Sequence, residues 1–211
     1  MEKINYQKIL DKKLEEIDRG DSLLLHSCCG PCSSYVLEYL SQYFKITVLF
    51  YNPNIYPSEE YYRRAEEEER LIGEMDTRYP VDLIVEPYHS DEFYKAVKGY
   101  EDLGEKSQRC YKCYELRLKK SFEVADKLGI SYLTTTLSIS PHKNANWINE
   151  IGKRLEKNYK TAFLCSDFKK KDGYKRSIKL SKKYGLYRQD YCGCVYSKNE
   201  AIERSRANEK A

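Results

Sequence analysis

Apolar side chains recur along this chain with two different periods. Tyr6, Ile9, Leu10, Leu14 and Ile17 fall three or four residues apart, which predicts a helix over residues 6–19, closed by Gly20. Leu23-Leu24-Leu25 is uniformly apolar and predicts a buried strand. Residues 33–43 return to helical spacing through Val36, Leu37 and Leu40, and residues 45–51 (KITVLFY) alternate like a second strand. The same reading predicts a charged helix over 58–75, a strand at VDLIVEP, a helix over 91–98 and a long helix over 107–128 stopped by Gly129. A strand at SYLTTTL, a helix over 142–157 and a fifth strand over 161–165 follow. Strands and helices thus alternate, the signature of an α/β fold with a doubly wound, mostly parallel five-stranded sheet.

The C-terminal segment, residues 168–211, is mostly helical with a Cys-containing break around YRQDYCGC, and is expected to pack on the sheet. No repeat, low-complexity tract or linker divides the 211 residues, so a single α/β domain over 1–211 is expected. In open sheets of this kind ligands bind beyond the carboxyl ends of the strands. Three segments follow strands directly: Cys28–Cys32, Ser138–Lys143 and Cys165–Asp167. They are expected to converge on one crevice.

Composition narrows the chemistry. No stretch approaches the roughly 20 apolar residues of a membrane span. The N-terminus, MEKINYQKILDKKLEEI, has no apolar core of the kind a secretory signal needs. A cytoplasmic location is therefore expected, where thiols stay reduced and clustered cysteines mean metal or catalysis. Seven of the eight cysteines fall in three short clusters, and only Cys165 stands alone.

The first cluster is His26-Ser27-Cys28-Cys29-Gly30-Pro31-Cys32, between a strand and a helix. The second is Cys110 and Cys113, three apart and so on one helix face. One pair from each supplies four thiolates, a donor set that suits an iron–sulfur cluster or zinc. Cys29-Gly-Pro-Cys32 also matches the thioredoxin tetrapeptide, which leaves three readings open: a redox-active cluster, structural zinc, or dithiol chemistry. The compartment and the number of thiols favour the first. Cys28, Cys110 and Cys113 have no place in the thioredoxin reading, and no Trp precedes the tetrapeptide. The third cluster, Cys192-Gly193-Cys194, can close a small, readily reduced disulfide ring or hold a second metal.

Other candidates are weaker. His26 at a strand mouth suits a proton donor or a group that tunes a cluster, although a histidine that only caps a strand is the commoner case. Cys165 at the end of an apolar strand reads as an inert buried thiol, and Asp167 beyond it as an iron ligand, a proton donor or a simple salt bridge. Lys143 opens a helix and could hold a phosphate. The net charge of +4 permits a nucleic-acid partner without requiring one. The basic tract Lys169, Lys170, Lys171, Lys175, Arg176 and Arg188 could follow an RNA backbone.

Taken together, HSCCGPC, FYNPNIYP, RCYKCYELRL, TTTLSISPHK and DFKKKDGYKRSIKLSKKYGLYRQDYCGC, in this order, resemble the QueH type of epoxyqueuosine reductase. The resemblance runs from about residue 24 to 198. It implies a fold like the nucleotide-binding α/β superfamily of the PP-loop ATPases, with SCCGPCS where a phosphate loop would stand. It implies reduction of the epoxide of epoxyqueuosine, at the wobble position of tRNA, to queuosine, the last step of that biosynthesis. It maps a [4Fe-4S] cluster onto Cys28, Cys29, Cys110 and Cys113, and a redox-active pair onto Cys192 and Cys194. An additional iron ion near the cluster, held by Cys and an acid, has Asp167 as its candidate acid. The implied partners are tRNA carrying epoxyqueuosine and an electron donor that the sequence does not identify.

Overall fold

The computed structural model describes residues 4–208. Helix α1 (Tyr6–Glu16) is capped by Asn5, whose side chain accepts the Lys8 N–H at 3.2 Å. Strand β1 (Asp21–Ser27) leads into α2 (Gly30–Leu40), β2 (Phe44–Phe50), α3 (Ser58–Glu74) and β3 (Asp82–Val85). Then come α4 (Ser90–Ala96), α5 (Gln108–Lys127), β4 (Tyr132–Thr135), α6 (Ala145–Leu155) and β5 (Ala162–Phe163). Two further helices, α7 (Gly173–Lys183) and α8 (Val195–Asn208), complete the order. All five expected strands are present.

The sheet is parallel at every pairing, in the order β3-β2-β1-β4-β5. This is the doubly wound α/β arrangement the periodicity predicts. The chain builds outward from β1 to β2 and β3, then returns to the other side of β1 with β4 and β5. Order therefore reverses between β1 and β4, and the crevice at their carboxyl ends is where such sheets take ligands.

The period of two sorts β1 between two cores. Leu24 packs with Leu49, Leu118, Phe122, Leu133 and Ile151, on the face covered by α5 and α6. Leu23 and Leu25 pack with Leu10, Val36, Leu37 and Val48, on the face covered by α1 and α2. Both faces are covered, which is why β1 reads as a continuous apolar run. No helix among the described residues is long and apolar enough to cross a membrane.

Two boundaries differ from the sequence reading in ways that matter for the site. Helix α2 begins at Gly30, three residues earlier than the apolar spacing indicates, because Pro31 fits the first helical turn. Cys32 therefore sits on that turn rather than in a loop. Strand β5 is only two residues long. Leu164 N–H still reaches Leu133 O at 2.8 Å, but Asn149 takes the Ser166 N–H at 2.9 Å and ends the ladder.

Helix α6 lies close on β5 at Gly152, where a Cβ would come within 2.3 Å of the Phe163 ring. Gly152→Ala should therefore destabilise the fold by about 1–3 kcal/mol through overpacking, although alanine is the better helix former. Urea denaturation of the variant checks this; an unchanged or raised midpoint would show that the α6–β5 contact is loose.

Candidate metal centre

Residues 28–33 turn sharply from β1 into α2. The N–H groups of Cys32 and Ser33 both bond to Cys29 O at 3.1 Å. The Ser27 and Ser33 hydroxyls bond to each other at 2.6 Å beneath the turn, and the Cys28 N–H bonds to Thr136 Oγ1 at 3.3 Å. Thr136 opens a 3-10 turn, Thr136–Ile139, directly after β4. The loops after β1 and β4 are thus joined at the switch point. The result is a compact donor set: the sulfurs of Cys28, Cys29 and Cys32 all lie within 4.8 Å of one another.

The other two clusters border the same place. Cys110 packs against the core that contains Cys28 and Cys29, and Cys113 packs with Cys194, Phe93 and Val97. Arg117, one turn beyond Cys113 on α5, is only 2% exposed. Its Nε donates to Cys113 O and its Nη1 to Asn52 Oδ1, both at 3.3 Å. Asn52 Nδ2 donates to Ser27 O at 2.8 Å. Lys143, in the loop after β4, donates to Cys192 Sγ at 2.8 Å.

The C-terminal segment is fixed over this crevice by several contacts. Tyr56 N–H bonds to Gly193 O at 2.8 Å, and Arg64 Nη1 reaches Cys192 O at 3.4 Å. Gly193 has φ +131°, a conformation open to glycine, and a Cβ there would press on Arg64 Nη1 at 3.2 Å. Arg109 on α5 pairs with Glu200 on α8 at 2.8 Å. Cys192 lines the crevice with Cys28, Cys29 and Cys32, while Cys194 is buried in the apolar cluster beside Cys113.

Electrostatics follow from this crowding. Hydrogen bonds from Cys29 and Cys32 hold the Cys28 thiol well below its ordinary value, with Lys143 and Thr136 assisting against burial. The same coupling pushes Cys29 up to about 12 and raises Cys32, because second and third negative charges would sit against the first. Burial pushes Cys113 up to about 12. Burial opposes the charge of Lys143, yet the Cys192 and Cys28 thiols and Tyr114 keep it protonated. Arg117 is likewise held charged against its burial by Cys113, Cys192 and Cys28. Among the described residues neither cation makes an ion pair with a carboxylate. The anion-forming groups that act on them most strongly are thiols and the Tyr114 phenol.

A family model described as epoxyqueuosine reductase QueH matches residues 23–200. The epoxyqueuosine reductase QueH of Streptococcus pyogenes serotype M1 is 42% identical over 201 residues, 93% of this chain and 79% of its own length. That of Staphylococcus aureus is 41% identical over 218 residues, 100% of this chain and 91% of its own. That of Thermotoga maritima is 36% identical over 189 residues, 87% and 93% respectively. The chain belongs to the QueH family.

The donor set fits the metal centre expected of a QueH protein. Closely grouped thiols are soft ligands that favour iron–sulfur clusters or zinc over hard cations. The buried Arg117 and the half-buried Lys143 make no carboxylate ion pair among the described residues, and a thiolate-ligated centre would supply the compact negative charge that answers them. Arg64 Nη2 and Arg117 Nη2 are buried with no hydrogen-bond partner among the described residues, which leaves donors free beside the sulfurs.

The structure distributes the expected site residues unevenly. It groups Cys32, which stood outside the four expected ligands, with Cys28 and Cys29, whereas Cys110 and Cys113 lie outside that close group. It joins the segments after β1 and β4, and the one after β5 meets the latter through the Ser166 and Ser138 hydroxyls at 3.0 Å, but neither Cys165 nor Asp167 lines the crevice. Cys165 borders a separate apolar cavity with Ile9 and Leu10, and Asp167 is ion-paired with Lys169. The carboxylates that do line the crevice are Asp190 and Glu105. His26 is fully buried, with Nε2 donating to Tyr51 O at 3.2 Å and Nδ1 accepting from Thr135 Oγ1 at 2.8 Å. Burial and the nearby Arg117 charge lower its pKa to about 3, so it is a neutral strut between β1, β2 and β4.

The basic tract is also divided. Lys171 pairs with Asp11, and Arg176 with Glu38, away from the thiols. Lys169 also donates to Ser138 O at 3.2 Å. Lys170 and Lys175 are exposed, and Arg188 lines the crevice.

Sequence reasoning missed Arg64, Arg117, Asn52 and Glu68. The last is fully buried on α3, near Cys28, with the Ser27 and Ser33 hydroxyls beside its carboxyl. Burial pushes its carboxyl from the ordinary 4.5 up to about 7. Between those values the folded chain keeps a proton that the unfolded chain releases, so stability falls as pH rises through the window. Glu68→Gln should therefore stabilise the metal-free chain at pH 8, by on the order of 3 kcal/mol, and give almost nothing at pH 4. Urea titrations at the two pH values test this; an equal effect at both would mean that Glu68 is ionised in the fold.

Proposed function

We propose that this chain reduces the epoxide of epoxyqueuosine in tRNA to the alkene of queuosine, using an iron–sulfur centre at the β1–β4 switch point. The observation that carries the reading is the Cys28–Cys29–Cys32 group at the switch point, with Cys192 in the same crevice and with Arg117 and Lys143 nearby, neither ion-paired to a carboxylate among the described residues. Membership of the QueH family supports the same reaction class. In this reading Cys28, Cys29, Cys110 and Cys113 hold a [4Fe-4S] cluster, and Cys32 adds a further thiol beside it. An additional iron would find its acid at Asp190 rather than at Asp167.

The overall change consumes two electrons and two protons and releases the epoxide oxygen as water. The centre, when loaded, would supply electrons one at a time. The chain's own groups have the remaining tasks. The crevice, about 290 Å³, is lined by Lys143, Arg188, Gln189, Asp190 and Cys192 beside the three thiols. Gln189 Oε1 is buried without a partner and can accept from the edge of a base. The Lys143 ammonium is the proton donor nearest the thiols and can hold or protonate an oxygen that develops negative charge. It also keeps Cys192 at the mouth of the crevice, where that thiol can exchange with Cys194 or with a donor.

A single base in an unpaired loop reaches such a crevice at less cost than one inside a duplex. Tyr174 and Ser177 of α7 line its wall, and the same helix exposes Lys175 and Lys179. An RNA backbone lying along α7 would therefore present its neighbouring base to the thiols.

Anaerobically prepared protein should contain iron and sulfide and convert epoxyqueuosine tRNA when given a chemical reductant. Cys113→Ala should lose colour and turnover together, and Cys192→Ala should keep the colour and lose turnover. Full turnover by colourless, iron-free protein would sink the proposal, as would zinc in place of iron. Replacing Lys175 and Lys179 by Glu should weaken tRNA binding and flatten its salt dependence by roughly one unit of log–log slope per lost phosphate contact. An unchanged slope would move the RNA path off α7.

A further inference from the structure

Arg117 occupies an unusual position for a buried arginine. It makes no ion pair among the described residues, and one of its three guanidinium nitrogens, Nη2, has no partner at all. The other two nitrogens form part of a continuous chain. Nε holds Cys113 O, Nη1 holds Asn52 Oδ1, and Asn52 Nδ2 holds Ser27 O. Cys113 belongs to one cysteine cluster, and Ser27 immediately precedes the other. The chain Cys113–Arg117–Asn52–Ser27 thus ties α5 to the end of β1 across the site.

The identity of residue 52 is informative. Asparagine offers one acceptor and two donors, so it can receive from Arg117 and give to Ser27 O at once. Aspartate would also receive from Arg117, but it would cancel the guanidinium charge and leave Ser27 O without its donor. The bridge is therefore built from a neutral residue, which leaves the positive charge of Arg117 uncancelled. A buried uncompensated charge costs several kcal/mol, and it persists where another charge faces it. The groups around Arg117 that can carry negative charge are the thiols of Cys113, Cys192 and Cys28, and the Tyr114 phenol.

We propose that Arg117, held by Asn52, is the positioning residue and fixed counter-charge of the metal centre. It sets the spacing of the two cysteine clusters and raises the reduction potential of what they hold. This rests on the iron–sulfur reading above. A reduced centre carries one more negative charge than an oxidised one, so a fixed cation beside it favours the reduced form. Lys143 adds to the same field from the β4 side, but it is bonded to Cys192 and does not bridge the clusters.

Two variants weight charge and spacing differently. Asn52→Asp cancels the charge of Arg117 and keeps that end of the bridge while giving up its Ser27 end. Arg117→Lys keeps the charge while losing the two-pronged bridge. Each is prepared anaerobically and read by iron and sulfide content and by a dye-mediated redox titration of the visible band. Asn52→Asp should retain the centre with its midpoint potential shifted negative. Arg117→Lys should stay near the parent potential while its metal affinity falls roughly tenfold or more.

Parent iron content and parent potential in both variants would overturn the proposal. So would a merely structural Arg117, which would lower the melting temperature of both variants without moving the potential. Where Asn52→Asp fails to load iron, Arg117→Gln removes the charge instead and is judged by the same negative shift. A parent protein with no iron or sulfide would defeat the reading of the site itself, and this inference with it. That result is distinct from a loaded parent whose variants do not differ from it.

Discussion

A buried positive charge has to face a negative one, and in this chain that requirement organises the crevice. Arg117 and Lys143 approach from α5 and from the loop after β4, and neither meets a carboxylate among the described residues. The fully buried Glu68 behaves oppositely: burial favours its protonated, neutral form. Among the described residues the groups that chiefly answer the two cations are thiols and the Tyr114 phenol. A site made of protonated cysteines would leave both charges stranded, whereas ionised sulfur gathered around a metal would satisfy them. The same argument explains why one of three crowded thiols, Cys28, takes the charge while its neighbours donate to it.

The sheet makes that meeting possible. Order reverses between β1 and β4, so the loops that follow those strands diverge and leave a gap. Nucleotide-binding sheets of this plan fill such a gap with a loop whose backbone amides cradle phosphate. Here the turn into α2 bears Cys28, Cys29 and Cys32 instead, with the Ser27–Ser33 pair holding it from beneath. The C-terminal segment then closes the open side. Arg70 holds Tyr184 O at 3.1 Å and Glu67 takes the Tyr187 N–H at 2.6 Å, so the segment crosses α3 before Cys192 reaches the thiols. Cys192 thus reaches the crevice lined by Cys28, Cys29 and Cys32, although some 80 residues of chain separate it from Cys113.

Much of this was legible in the amino-acid order. The two periods reveal five strands and the helices between them, because a period of two or of 3.6 is a direct consequence of which faces are buried. The cysteine clusters could be found because thiols in fixed short spacings are rare without a purpose. What failed was side-chain direction at strand ends. His26 and Asp167 both stand at mouths of strands, but His26 turns inward as a neutral strut and Asp167 turns toward Lys169. Arg117 was hidden for another reason: an arginine in a charged helix resembles any solvated residue. A signal existed, since Cys110, Cys113 and Arg117 share one helix face at spacings of three and four. Asn52 stands within the motif FYNPNIYP, and no local pattern reveals its role, which depends on two partners that lie 25 and 65 residues away.

The claim on which all of this depends is that the separated cysteine clusters hold one sulfur-ligated iron centre. X-ray absorption at the iron edge of anaerobically isolated protein addresses it most directly. The account predicts a first shell of sulfur near 2.3 Å, about the length of metal–thiolate bonds, together with an iron–iron vector, both lost in Cys28→Ala and in Cys113→Ala alike. Iron in a shell of oxygen and nitrogen, or a sulfur shell that survives loss of Cys113, would contradict it.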